Sequence, residues 1–215
     1  MTDQKPAGAV WLVRHTETDW NRSGRYQSHS DRPLTRRGVA HLRAVAESFR
    51  TARVAVVVST GLGRTDRLAV AIAGQHEHAA HVRDKRWAEI DHGRWEGLTY
   101  GEVVEHLGES ATERFRDPRR SRAHGGETLE ELADRVWRAW QELPRIWKGA
   151  CVVVAHATPI QALICRILQI PLEHYWQIRI DLGSISHVRI DTAGPSVQSL
   201  NHVPRLPVRN RRRRR

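Results

Sequence analysis

The sequence predicts an α/β fold: a mostly parallel central sheet with helices on both faces. Two observations carry that expectation. Three short Val-rich runs, Ala9–Val13, Val54–Val58 and Cys151–Ala155, are nearly continuously apolar. Strands buried on both faces of a parallel sheet read this way. Each run is followed by a segment with helical spacing, and strand–helix alternation is the pattern of that architecture.

The elements follow in order. After the first run, Thr35 to Phe49 places Val39, Leu42, Val45, Ala46 and Phe49 at helical spacing, with Thr35 as N-cap. After the second run, Arg64 to Ala73 is a helix. Thr128–Leu129–Glu130–Glu131 is a capping-box pattern that opens a third helix reaching Trp147, with Pro144 kinking or ending it. After the third run, Pro159 to Leu168 is a fourth helix, with Thr158 as N-cap and Pro159 in its first turn. Ile185–Asp191 and Val197–Val203 resemble later edge strands. Residues 111–126 are polar and Arg-rich, which suits a surface insertion. A length of 215 residues suits one α/β domain, expected over 1–203, with a basic disordered tail over 204–215.

Composition narrows the function classes. The chain is 40% hydrophobic and 27% charged, a globular balance. Its net charge is +11, yet seven arginines lie at the end: Arg205, Arg209 and Arg211 to Arg215. No acid follows Asp191, so residues 1–204 carry only +4 once those seven are set aside. The basicity is mostly a tail, and nucleic acid is not an expected partner. Cys151 and Cys165 sit inside apolar runs, as buried reduced thiols do. The N-terminus lacks a hydrophobic stretch of signal-peptide length. The most apolar window, Cys151 to Leu168, is broken by His156, Pro159, Gln161 and Arg166, which excludes a membrane span. A soluble, cytoplasmic protein is expected, with no membrane partner. A homodimer is left open.

Ligands of open α/β sheets bind outside the carboxyl ends of the strands. The first run ends in Arg14–His15–Thr16–Glu17–Thr18. The second ends in Ser59, with Arg64 five residues on. The third ends in His156–Ala157–Thr158–Pro159. Two guanidiniums offer rigid forks that match phosphate oxygens. A helix N-terminus after Thr158 presents backbone N–H groups to an anion. A neutral histidine can attack phosphorus covalently. The set therefore points to phosphoryl chemistry supported by fixed positive charge. No Gly-x-x-x-x-Gly-Lys-Ser/Thr loop and no Gly-x-Gly-x-x-Gly helix opening is present.

Five blocks in order give the chain a resemblance to the histidine phosphatase superfamily, in the branch that includes phosphoglycerate mutases. They are Leu12 to Asn21; Tyr26–Gln27 with Asp31 to Thr35 and Gly38; Ser59 to Arg64; Glu89 with Gly93 to Leu98; and Gly125 to Thr128 with Val154 to His156. The resemblance implies that His15 becomes a phosphohistidine. It implies that Arg14, Arg64, His156, Asn21 and Ala157 bind the phosphoryl group, and that Glu89 protonates the leaving oxygen and then activates water. A carboxyl beside a bound phosphate is disposed to hold a proton, because like charge disfavours a second anion. No cofactor and no metal is implied. The chain departs from the family pattern at Thr16 and Ala157, where glycine is usual, and at Thr65 to Ala69.

The segment after Glu89 resembles the phosphatase subgroup more than the mutases. The implied activity is a metal-independent phosphomonoesterase acting on a small phosphorylated metabolite such as a sugar phosphate, a phosphoglycerate derivative or a nucleoside phosphate like α-ribazole phosphate. The alternatives are mutase-type phosphoryl transfer and a non-catalytic phosphate- or nucleic-acid-binding module. Specificity is expected in residues 22–32 and 99–126.

Several residues have plain structural readings beside the functional ones. Asn21 has a turn cap as its alternative to phosphate contact, and Glu127 reads as a helix-entry residue, with a place in the pocket lining as its alternative. His76, His78 and His81 form His-x-His-x-x-His, a spacing seen in metal sites, but a polar helix end before a strand accounts for it. Trp137, Trp140 and Trp147 suit core packing. Arg114, Arg116, Arg119, Arg120 and Arg122 suit a solvated face.

Overall fold

A computed structural model describes residues 8–108, 112, 117–146 and 150–206, with the side chains of 144–146 left undescribed. Six strands form one sheet: β1 (Gly8–Arg14), β2 (Val54–Ser59), β3 (Ala80–Arg83), β4 (Ala150–Ala155), β5 (Ile185–Asp191) and β6 (Gly194–His202). Their order across the sheet is β3-β2-β4-β1-β5-β6. β1 to β4 are parallel, and β5 and β6 add antiparallel strands at one edge. The helices are α1 (Asp19–Arg22), α2 (Arg36–Glu47), α3 (Gly63–Ala73), α4 (Tyr100–Leu107), α5 (Leu129–Ile146) and α6 (Ala157–Leu168).

The Val-rich strands bury both faces, as their composition requires. Val10, Leu12, Val58 and Val153 pack against Leu132 and Val136 of α5 and Ile160 and Leu163 of α6. Val13, Val57, Val152 and Val154 pack on the other side against Val45 of α2 and Leu68 and Ile72 of α3. Period-two alternation sends neighbouring valines to opposite layers. Trp140 is buried among the α5 contacts and Trp137 packs against them, while Trp147 lies outside the described residues.

Several boundaries differ from the sequence expectation. The helix after β4 begins at Ala157, and its N-cap is His156 rather than Thr158. β4 runs into the helix without a loop, and His156 makes no capping bond with its side chain. α5 continues past Pro144 to Ile146. The last strand is Gly194–His202 rather than Val197–Val203. α4 occupies residues expected as loop, opened by a capping box of Thr99 and Glu102. Thr35 and Thr128 do cap their helices: Thr35 Oγ1 accepts from the Gly38 amide, and Thr128 Oγ1 from the Glu131 amide. Gly38 is required there, since a Cβ would collide with the Glu17 carbonyl.

His81 lies in β3 and bonds Ser59 Oγ, and among the described residues no cluster of three His, Cys, Asp or Glu side chains is arranged to hold a metal ion. Arg119 and Arg122 form exposed ion pairs with Glu130 and Glu131. Arg114 and Arg116 lie outside the described residues. So do residues 207–215 of the tail, whereas Pro204 is buried. Among the described residues no helix is long and apolar enough to cross a membrane.

Candidate active site

Parallel pairing of β1 and β4 sets Arg14 level with Ala155, and the next residue on each strand is a histidine. The His15 amide donates to the Ala155 carbonyl at 3.0 Å, tying the two strand ends together. The rings of His15 and His156 meet at a steep angle with centroids 5.1 Å apart.

The ring of His15 is oriented by its own backbone. Nδ1 lies 2.9 Å from the Thr16 carbonyl oxygen. A carbonyl only accepts, so Nδ1 carries the proton and Nε2 keeps its lone pair. Burial, then the Arg64 and Arg14 charges, holds the His15 pKa well below the usual imidazole range. The ring is therefore neutral at physiological pH, with a lone pair on Nε2.

Two guanidiniums flank it. Arg64 is fully buried and donates from Nη1 to Ser30 O at 2.8 Å and from Nη2 to Ser28 O at 2.5 Å. Burial pushes its pKa down to about 10, opposed by the charges of Glu89, Asp31 and Glu96, so it stays cationic near neutral pH. Arg14 donates from Nη1 to Ile180 O at 2.7 Å. Burial lowers its pKa, and Glu89 and Asp181 oppose the shift. Nε of each arginine is buried without a hydrogen-bond partner among the described residues. Such donors suit anionic oxygens, because a buried unpaired donor is costly and a charge-assisted bond repays it.

His156 closes the cradle. Its Nδ1 lies 3.4 Å from Arg64 Nη2 and its Nε2 3.4 Å from Thr60 Oγ1. Burial first, then the surrounding cations, holds its pKa well below the usual range. Ala157 opens α6 directly beside it, so the first amides of that helix sit at the same strand end.

Glu89 reaches the site from a different kind of support. It is buried, and its Oε1 accepts from the Ile90 amide at 2.9 Å. Its charge acts on both Arg14 and Arg64. The backbone that carries it is gripped by Arg135 of α5. Nη1 donates to Arg86 O at 2.9 Å and Ala88 O at 2.8 Å, and Nη2 to Glu89 O at 3.0 Å. The same guanidinium forks onto Glu127, Nε to Oε1 at 2.7 Å and Nη2 to Oε2 at 2.8 Å. Glu127 is thus the anchor of Arg135.

Asn21 makes the capping contacts of its alternative reading. Its Oδ1 accepts from the Thr18 amide at 3.0 Å and from Thr18 Oγ1 at 2.9 Å. That leaves its amide nitrogen as a donor. Gln27, Glu96 and Arg135 were not foreseen in any role. Gln27 accepts from Thr18 Oγ1 at 2.7 Å and donates to Ser30 O at 3.0 Å. Glu96 accepts from the Ser28 and Ser30 amides at 2.7 and 2.9 Å, fixing the loop whose carbonyls hold Arg64. Its place within Gly93–Arg94–Trp95–Glu96–Gly97 was the available signal.

Two buried histidines with the buried Arg64 and the half-buried Arg14 at the carboxyl edge of this sheet define a class. Residues 10–203 match the family model described as histidine phosphatase superfamily (branch 1), and the chain belongs to that superfamily. It is a phosphatase enzyme, of a family that acts on small phosphorylated substrates. Among its curated relatives is "Phosphoserine phosphatase 1" of Hydrogenobacter thermophilus, 32% identical over 191 residues, covering 88% of this chain and 90% of that protein. Another is "Probable phosphoglycerate mutase GpmB" of Salmonella choleraesuis, 32% identical over 180 residues and 83% of each chain. The solved structure of Bacillus stearothermophilus YhfR superposes with a TM-score of 0.84, covering 91% of this chain and 98% of that one at 24% identity, a likeness of fold.

Proposed function

We propose that the protein hydrolyses a small phosphate monoester through a phosphohistidine on His15. The observation that carries this is the 2.9 Å contact of His15 Nδ1 with the Thr16 carbonyl, which leaves a lone pair on Nε2 of a ring that feels the charges of Arg64 and Arg14. Nε2 attacks phosphorus while the P–O bond to the leaving group breaks, and Glu89 delivers a proton to the departing oxygen. The Glu89 carboxylate then takes a proton from water as that water attacks phosphorus, releasing inorganic phosphate and restoring His15. Arg14, Arg64, His156 and the Ala157 amide neutralise the equatorial oxygens, with the Asn21 amide as a further donor. These groups supply the charge that a metal ion supplies elsewhere, so chelators leave the rate unchanged.

A phosphorylated metabolite of sugar-phosphate, phosphoglycerate or nucleoside-phosphate type is the proposed substrate class. Phosphoserine joins that panel because a 32% identical relative carries the name of a phosphoserine phosphatase. The mutase-named relative supports a second reading, return of the phosphoryl group to another hydroxyl. Assay of such metabolites for phosphate release and for isomerised product, with trapping of acid-labile phosphate on the protein, tests both. Release without isomerisation, with label on wild type and none on His15→Ala, is the expected result. Unlabelled wild type that still turns over would overturn the mechanism.

A further inference from the structure

A cleft lies away from the candidate active site. Its volume is about 1420 Å³, between α2 and the chain after β6, and Arg36, Arg37, Arg43 and Arg205 line it with His202. The one acid in its lining is Glu47, which is held by Arg50 at 2.6 Å. None of the four arginines is in an ion pair among the described residues. The three on α2 are exposed, and the cleft shares no residue with the phosphate cradle. By sequence, six more arginines, Arg209 and Arg211 to Arg215, follow Leu206 at its rim. Like charge disfavours that tail as the occupant. The sequence places most of the basicity in the tail; folding gathers a further set of arginines from α2 along this cleft.

We infer that this cleft binds the phosphate backbone of a nucleic acid. The geometry decides the occupant. Arg36 and Arg43 are seven residues apart, about 10 Å along the helix, so the charges form a row. The cleft is concave, which suits a strand rather than a flat bilayer. Its lining contains no Phe, Tyr or Trp, and His202 is its single ring, so it offers no platform for successive bases. Binding is therefore through phosphates and indifferent to sequence.

The test uses the full chain and its Arg36→Ala/Arg37→Ala/Arg43→Ala variant. Fluorescence anisotropy follows binding to a labelled 20-base-pair DNA duplex and a labelled 20-nucleotide RNA across a salt series. Wild type should bind at least one, with affinity falling steeply as salt rises. In the variant the slope of log K against log salt should drop by about one per arginine removed, while turnover of p-nitrophenyl phosphate and the circular dichroism spectrum stay as in wild type. An unchanged slope would assign all binding to the tail and overturn the inference. So would binding to neither probe, or tighter arginine-dependent binding to vesicles of phosphatidylcholine with 30% phosphatidylserine.

Discussion

The two halves of the candidate site are held by different physics. The cradle of Arg14, His15, His156 and Ala157 stands on adjacent strand ends, so the β1–β4 ladder fixes its geometry. Glu89 stands on irregular backbone after a 3₁₀ turn and is held by side-chain bonds, chiefly from Arg135. A ladder shares strain among many backbone bonds, whereas a single guanidinium fork is one point of failure. The half proposed to bind phosphate should therefore resist substitutions around it, and the half proposed to move protons should not.

Deleting the proposed nucleophile gives the largest effect. His15→Ala should lower kcat by more than about 10³-fold while still binding inorganic phosphate or vanadate, because Arg14 and Arg64 rest on backbone carbonyls rather than on His15. Titration of the inert variant with a phosphate analogue checks this, and loss of binding would show that the cradle depends on the ring. Glu89→Gln should cost about 10²–10⁴-fold, the usual worth of a general acid–base. Substrates with a good leaving group, such as p-nitrophenyl phosphate, should lose less in the first step, because their oxygen needs no proton. Pre-steady-state bursts separate that step from hydrolysis of the phosphoenzyme.

A sharper probe of the contrast is Arg135→Lys. Lysine keeps a charge for Glu127, avoiding a buried unpaired carboxylate, but it cannot reproduce the planar fork that grips three carbonyls. We expect kcat to fall by up to about 10²-fold through misplacement of Glu89, with the inhibition constant for inorganic phosphate unchanged. Equal losses in both would mean that Arg135 supports the whole edge of the sheet.

This division matches what the sequence made legible. The cradle residues directly follow Val-rich runs, so strand prediction alone brought Arg14, His15 and His156 to one edge. Arg64 followed from the same logic, because α3 begins just after β2. Arg135 was invisible because it meets Glu89 across 46 residues, a pairing with no local pattern. The start of α6 was misplaced because a strand that feeds straight into a helix leaves no loop to mark the boundary. α4 had a capping signal in Thr99 and Glu102, but it is only eight residues long with Gly101 inside it.

The smallest expected effect concerns pH and stability. His15 and His156 are both held neutral by burial and neighbouring cations, so their folded pKa values lie well below the unfolded one. Unfolding at acid pH lets each take up a proton that the native state refuses. Stability from this source is complete above the unfolded value near 6.5 and declines as pH falls below it. Each histidine can contribute a slope of at most about 1.4 kcal/mol per pH unit. Replacing His156 by Gln removes one of the two, since an amide cannot titrate. The variant should therefore lose less stability than wild type between pH 7 and pH 5, measured by urea midpoints at each pH. Parallel loss in the two proteins would place the acid sensitivity elsewhere and show that the cradle admits a proton on His156. That outcome would weaken the claim that its cations are reserved for phosphate.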